Sequence, residues 1–242
     1  MTTHLHALCF DATDPVVLAR FWAGVLGREL TDDPGDGLTV LPDDDSGFRI
    51  RFRPTRELRT GPNQLHLHLT SSSLDDQART VARALELGSR HLDVGQLPEE
   101  GHVVLADPEG NELCVIGPGS SFLAGCGFLG ELACDGSPQV GHFWSEALGW
   151  PLVWEQDQET AIQSSLGGTK IAWGGPPEAP YPGRDRLRLE LAPLPGGDQQ
   201  AEVDRLLSLG ATRVDGIRDD NGRVPMADPE GNDFSLLSPP PS

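Results

Sequence analysis

The chain has 242 residues, 37% of them hydrophobic, which is enough for two domains of ordinary size with a core each. Its formal net charge is −19, with 37 acids spread over both halves against 18 bases, of which Lys170 is the only lysine. That balance argues against nucleic acid or an anionic membrane as a partner; no apolar run is long enough to span a bilayer, and no basic segment followed by an apolar core opens the chain, so the expected compartment is the cytoplasm.

Leu5–Asp11 reads as a strand. Asp14-Pro15 then opens a helix, with Asp as N-cap and Pro in the first turn. Leu18, Phe21, Trp22, Val25 and Leu26 share one face of it, and Gly27 stops it. Strands are expected at 29–31, 38–41 and 48–53. A second unit begins at 64–70, where Leu65, Leu67 and Leu69 alternate with His66, His68 and Thr70. A helix over 75–87 ends at Gly88, and strands follow near 91–94, 103–106 and 112–116. Asp107-Pro108-Glu109-Gly110 is the turn between the last two. The small-residue segment 117–127 reads as a linker. Beyond it come a strand at 128–134, a helix at 138–148 and strands to 173. A Pro/Gly-rich loop at 174–184, a strand at 186–191, a helix at 198–209 and strands to 237 complete the chain, and the tail Pro239-Pro240-Pro241 is expected to fray. Cys9, Cys114, Cys126 and Cys134 form no CxxC pair and read as reduced, buried thiols.

The second half repeats the first. Phe21-Trp22 and Leu26-Gly27 return as Phe143-Trp144 and Leu148-Gly149. Asp76-Gln77 and Leu87-Gly88 return as Asp198-Gln199 and Leu209-Gly210, and Ala106–Asn111 returns as Ala227–Asn232. Three landmarks in one order, at an offset of 122 slipping to 121, mean duplication. Two domains are expected, at 1–117 and 128–242. Each is a pair of strand–helix–three-strand units. The aromatic pairs read as core, not as stacking platforms.

This tandem βαβββ pattern, with the Asp14-Pro15…Phe21-Trp22…Leu26-Gly27 helix, the strand Asn63–Leu67 and the turn Ala106–Glu112, resembles the vicinal oxygen chelate superfamily. That superfamily includes glyoxalase I, bleomycin-resistance proteins and extradiol dioxygenases. The resemblance implies an α+β fold of two tandem glyoxalase-like domains, in which paired units cup a mixed sheet around a cavity. It also implies that ligands to a divalent metal, where one is present, come from the first and fourth strands. The resemblance is strong for fold and weak for activity, because one fold carries many chemistries.

Strand parity names the residues facing the cavity. If the leucines of 65–69 face the helix, His66 and His68 face the cup. Residues i and i+2 of a strand lie roughly 6.6 Å apart, so both rings can lean onto one ion. His66 matches the superfamily's first-strand histidine. Its fourth-strand glutamate position falls on Cys114 in the first half and Ser235 in the second. Glu112 shares the parity of Cys114, which gives a possible metal set of His66, His68 and Glu112 in the first domain only. On strand 48–53, with Ile50 and Phe52 in the core, Arg49, Arg51 and Arg53 stand where a carboxylate belongs, and they would repel a cation. On the first strand two registers stay open. One puts Leu5, Ala7, Cys9 and Asp11 on the cavity face and is preferred; the other puts His6 there. In the second half His66 becomes Arg188 and His68 becomes Glu190, and these are expected to join Glu131 in an ion-pair network. Trp154 is a possible pocket wall.

The expected ligand-binding residues are therefore Cys9, Asp11, Arg49, Arg51, His66, His68, Cys114, Glu131, Arg188 and Glu190. The expected function is binding of a small, possibly anionic, organic molecule without a complete metal site, as in bleomycin-resistance-like sequestration. The alternative is a divalent-metal-dependent lyase, isomerase or dioxygenase acting on vicinal oxygens. A metal-free enzyme that steers a reactive intermediate comes third. Monomer and homodimer both stay open.

Overall fold

The computed structural model describes residues 3–33, 37–44, 46–57, 61–174, 185–214 and 222–239. The loop expected at 174–184 lies, from residue 175 on, outside the described residues, as does the end of the proline tail.

Four units follow one plan. The first has β1 (Thr3–Ala12), α1 (Pro15–Leu26), β2 (Leu30–Asp32), β3 (Leu38–Val40) and β4 (Arg49–Pro54). The second has β5 (Leu65–Leu69), α2 (Leu74–Glu86), β6 (Arg90–His91), β7 (His102–Ala106) and β8 (Glu112–Ile116). The third has β9 (Leu129–Cys134), α3 (Pro138–Leu148), β10 (Leu152–Gln156), β11 (Glu159–Gln163) and β12 (Lys170–Gly174). The fourth has β13 (Leu187–Pro193), α4 (Gln199–Ser208), β14 (Thr212–Arg213), β15 (Val224–Ala227) and β16 (Asp233–Leu236). In every unit the helical crossover carries the chain to the outer edge of the sheet, and two antiparallel hairpins then bring the fourth strand back parallel to the first.

The class is α+β, with two eight-stranded mixed sheets. Each sheet takes one unit from each half, so a half does not close a cup on itself. One sheet runs β14-β15-β16-β13-β1-β4-β3-β2; the other runs β10-β11-β12-β9-β5-β8-β7-β6. Antiparallel pairing of β1 with β13, and of β5 with β9, makes the two seams. Each sheet face therefore draws residues from both halves of the chain, the first from its two ends and the second from its middle.

The two units within a half are joined instead through their helices. Asp107 accepts the Trp22 indole N–H at 3.2 Å, and Asp228 accepts that of Trp144 at 3.3 Å. Glu109 accepts the backbone amides of Thr13 and Asp14 at the N-terminus of α1, at 3.0 and 2.6 Å. Glu230 accepts the amide of Ser137 at 3.2 Å and its hydroxyl. At the other end Arg83 donates to the Gly24 carbonyl at 2.7 Å, and Arg205 donates to the Ala147 carbonyl at 2.8 Å. An acid at the helix start and a base at its end both complement the helix dipole. The repeated turn sets this geometry: Asp107 also accepts the amides of Glu109 and Asn111 at 2.9 Å, and Gly110 and Gly231 carry φ of 90° and 94°. The repeated aromatic pairs are core, with Trp22 fully buried.

One continuous apolar core holds the leucine faces of the strands against the helices. No described helix is long and apolar enough to cross a membrane. All four cysteines are free thiols; Cys9 and Cys114 are buried, and Cys126 and Cys134 are partly so.

Asp185, just before β13, accepts the Gln64 amide at 3.0 Å and the Leu187 amide at 3.2 Å. Burial nevertheless pushes its carboxyl up to about 7 against the pull of those amides. An acid that binds its proton more tightly in the folded chain loses stability as pH rises from its unfolded value, near 4, through its folded value. The Asp185→Asn chain should therefore lose less stability than the parent between about pH 4 and about pH 7 in urea titrations. Parallel pH profiles would exclude this group as the cause.

Candidate functional site

The sites form on the faces of the two sheets opposite the leucines. On the β1–β13 sheet the two open registers are both realised, because pairing of β1 with β13 slips between Leu5 and Ala7. Before the bulge His4 and His6 line the cavity and Leu5 is core; after it Leu8 and Phe10 are core. Ala7, Cys9 and Asp11 then lie on the other face. The placement of Leu5 on the cavity face is thus corrected. A period-two argument cannot anticipate a bulge.

On this sheet small residues in the central strand let long side chains meet above it. Ala7 pairs with Glu190 on one side and Arg49 on the other; Cys9 pairs with Arg188 and Arg51. Across them Arg51 reaches Glu190 at 2.7 Å and Asp33 at 2.6 Å, and Arg223 reaches Glu190 at 3.4 Å. Arg188 forks onto Asp11 at 2.5 and 2.9 Å and touches Cys9 Sγ at 3.5 Å. Burial drives the Cys9 thiol upward, although Arg188 opposes it. Arg49 approaches the His6 ring at 3.5 Å. Burial, then the charge of Arg49, lowers His6 to about 4, so the ring is neutral at pH 7. His4, His6, Arg49, Arg51, Thr31 and Thr39 are among the walls of a cavity of about 810 Å³. With arginines at the fourth-strand position, this donor set does not fit a divalent cation.

The second sheet carries the other group. His66 and His68 project from β5, beside Cys114 on β8 and Glu131 on β9, because His68 pairs with Cys114 in one register and with Glu131 in the other. The two imidazole Nε2 atoms are 2.9 Å apart, and His68 Nδ1 is 2.7 Å from Glu131 Oε2. Donor atoms of His66, His68 and Cys114 all lie within 4.8 Å of one another. Burial, then the neighbouring His68 charge, lowers His66 to about 3. Burial also disfavours the His68 cation, but hydrogen bonds to Cys114 and Glu131 outweigh it and raise His68 to about 9. A cavity of about 340 Å³ opens over the pair, walled by Phe122, Trp154 and Trp173 among others. These donors fit a metal ion.

The expected site residues therefore separate into two groups. Cys9, Asp11, Arg49, Arg51, Arg188 and Glu190 share one sheet; His66, His68, Cys114 and Glu131 share the other. The expected network of Arg188, Glu190 and Glu131 is corrected, since Glu131 lies on the other sheet and partners His68. Glu112 is not among the clustered donors; its carboxylate takes the Asn63 amide and side chain at 3.3 and 3.1 Å. Sequence reasoning missed Asp33 and Arg223, which lie just past the end of β2 and just before β15, where no strand period marks a face. It also missed Phe122, which stands within the presumed linker yet packs on Trp154 with ring centroids 5.4 Å apart.

The family model for the glyoxalase-like domain matches residues 7–116 and again 131–237. Glyoxalase I from Zea mays superposes with a TM-score of 0.68 at 12% identity, covering 98% of this chain and 92% of that one. A putative dioxygenase from Bacillus subtilis strain 168 superposes with a TM-score of 0.64 at 17% identity, covering 100% and 86%. At such identities the likeness is one of fold alone. Among curated protein sequences none matches the chain. Two copies of the family's domain span nearly the whole length, and the chain belongs to the glyoxalase-like domain family of the vicinal oxygen chelate superfamily.

Proposed function

We propose that the protein binds a small anionic organic molecule in its larger cavity, without a metal ion there. The observation that carries this reading is the arginine pair of β4 at the superfamily's carboxylate position. Arg51 is held by Asp33 and Glu190, while Arg49 faces the cavity beside the neutral His6. A guanidinium over a cavity also walled by the neutral His6, Thr31 and Thr39, with Asp33 of that wall neutralised by Arg51 and with Asp32 at the β2 end, suits a carboxylate or a phenolate, gripped by charge-assisted hydrogen bonds. No bond need be made or broken: the fold supplies enclosure and charge, as sequestration requires.

Calorimetric titration of a panel of aromatic and aliphatic carboxylates against the full chain tests this. Arg49→Ala should weaken the best binder by about 10- to 100-fold, the worth of a hydrogen bond to a charged group. Equal affinity for that carboxylate and its methyl ester would overturn the reading. The alternative, metal-dependent chemistry on vicinal oxygens, attaches to the smaller cavity, where the donor set permits an ion.

A further inference from the structure

We infer that the smaller cavity holds a soft or borderline divalent ion of the zinc class, bound by His66 Nε2, His68 Nε2 and Cys114 Sγ. The superfamily pattern pairs a first-strand imidazole with a fourth-strand carboxylate, whereas this chain offers two imidazoles from one strand and a thiol at the carboxylate position. The inference stands apart from ligand binding in the larger cavity, which lies on the other sheet.

Geometry supports it first. Tetrahedral zinc with nitrogen bonds near 2.0–2.1 Å and a sulfur bond near 2.3 Å separates its donors by about 3.4 Å (N to N) and about 3.6 Å (N to S). The imidazole nitrogens stand 2.9 Å apart, and the three donor atoms fit within 4.8 Å. Small side-chain rotations on a rigid sheet bring them to bonding positions. The strands need no shift, because Cys114 already sits beside His68 in the parallel register of β5 and β8.

The surroundings support it independently. Glu131, contributed by the other half of the chain, holds Nδ1 of His68 at 2.7 Å. A carboxylate on Nδ1 fixes an N–H there and orients Nε2 toward His66 and Cys114, so that an incoming ion need displace only the proton shared between the two Nε2 atoms, the orientation common in ligating histidines. Glu131 is thus a positioning residue. The donor chemistry then decides which ion: thiolate and imidazole favour zinc or copper, whereas magnesium, calcium and manganese favour oxygen donors. Three protein ligands leave a fourth position, and the cavity that His66 and His68 share with Phe122 and Trp154 is the space beside the cluster that could supply it.

Cobalt(II) is the probe, because a Co–thiolate bond adds a near-ultraviolet charge-transfer band that nitrogen and oxygen donors do not give. The full chain, stripped with chelator and titrated with Co²⁺, should take up one ion and develop that band, and Zn²⁺ should bleach it while excess Mg²⁺ does not. Cys114→Ser should abolish the band while the circular dichroism spectrum stays native. His66→Ala should lose stoichiometric uptake. Glu131→Gln should keep the band and weaken binding roughly 10- to 100-fold. Failure of the parent chain to bind Co²⁺, binding without a thiolate band, or a band displaced equally by Mg²⁺ would each overturn the inference. The parent's spectrum decides the matter even if a variant does not fold.

Discussion

Glu109→Ala should unfold at a markedly lower urea concentration than the parent, a loss of about 3–5 kcal/mol, while the duplicate change Glu230→Ala should cost about 0.5–2 kcal/mol. The two glutamates occupy the same place in a repeated turn and both cap a helix of the neighbouring unit. They differ in what else they hold. Glu109 is also the partner of Arg186, at 2.6 Å, with 7% and 9% of the two side chains exposed. Arg186 in turn donates to the Glu57 carbonyl at 2.7 Å. One carboxylate thus ties α1, the β7–β8 turn and the entry to β13. Removing it orphans the two amides that lead into α1 and leaves a buried guanidinium without its counter-charge. Removing Glu230, which is exposed, costs a cap and little more. Arg186→Ala should be similarly damaging, and the double variant should cost less than the two single losses added, because each already breaks the same pair. Equal costs for the two glutamates would mean that the helix cap, and not the ion pair, carries the stabilisation.

That contrast shows how duplication builds this fold. Position by position the helix clamp repeats: Trp22 with Trp144, Arg83 with Arg205, Asp107 with Asp228. The tryptophans and aspartates were visible in the sequence as landmarks at an offset of 122 slipping to 121, yet they read only as core and turn, and the arginines were not singled out, because periodicity reports which face is buried and says nothing of which polar atoms meet. The clamp also explains why the halves persist as sequence repeats although their sheets are shared: units of one half are fastened helix to turn, and units of different halves strand to strand. Partner choice at the sheet seams was not legible. Every first strand has the same alternating pattern, and nothing in that pattern distinguishes β13 from β5 as the neighbour of β1.

The sites were legible in the same uneven way. Parity placed His66 and His68 beside Cys114, because all three lie within one unit, where the crossover fixes β5 against β8. Glu131 was assigned to the cavity face but to the wrong companions, since its neighbour depends on a seam. His6 and Ala7 share the sheet face opposite the core only because a bulge lets adjacent residues point the same way. What the sequence does carry is local: strand faces, helix ends and turns. What it withholds is the pairing of elements far apart in the chain, and here both cavities lie at such pairings.

The seam beneath the larger cavity should therefore be as sensitive as the clamp. Glu190 is fully buried and bridges Arg51 and Arg223, so Glu190→Ala should cost about 3–5 kcal/mol by removing the buried counter-charge the two guanidinium groups share, with Asp33 still paired to Arg51. Glu190→Gln should fall between, since the amide oxygen can still accept one of the two N–H groups. Replacing Arg51 and Glu190 together by leucine should cost clearly less than the two single changes added, because the interaction lost with one partner cannot be lost again with the other. Ala7→Leu offers a second route to the same failure. It leaves every charge in place but raises the floor between Arg49 and Glu190, and overpacking of this kind costs about 1–3 kcal/mol. If denaturation midpoints instead showed Glu190→Ala within about 0.5 kcal/mol of the parent, the charges would have to be solvated. The larger cavity would then be an open surface on which Arg49 could not grip an anion against water.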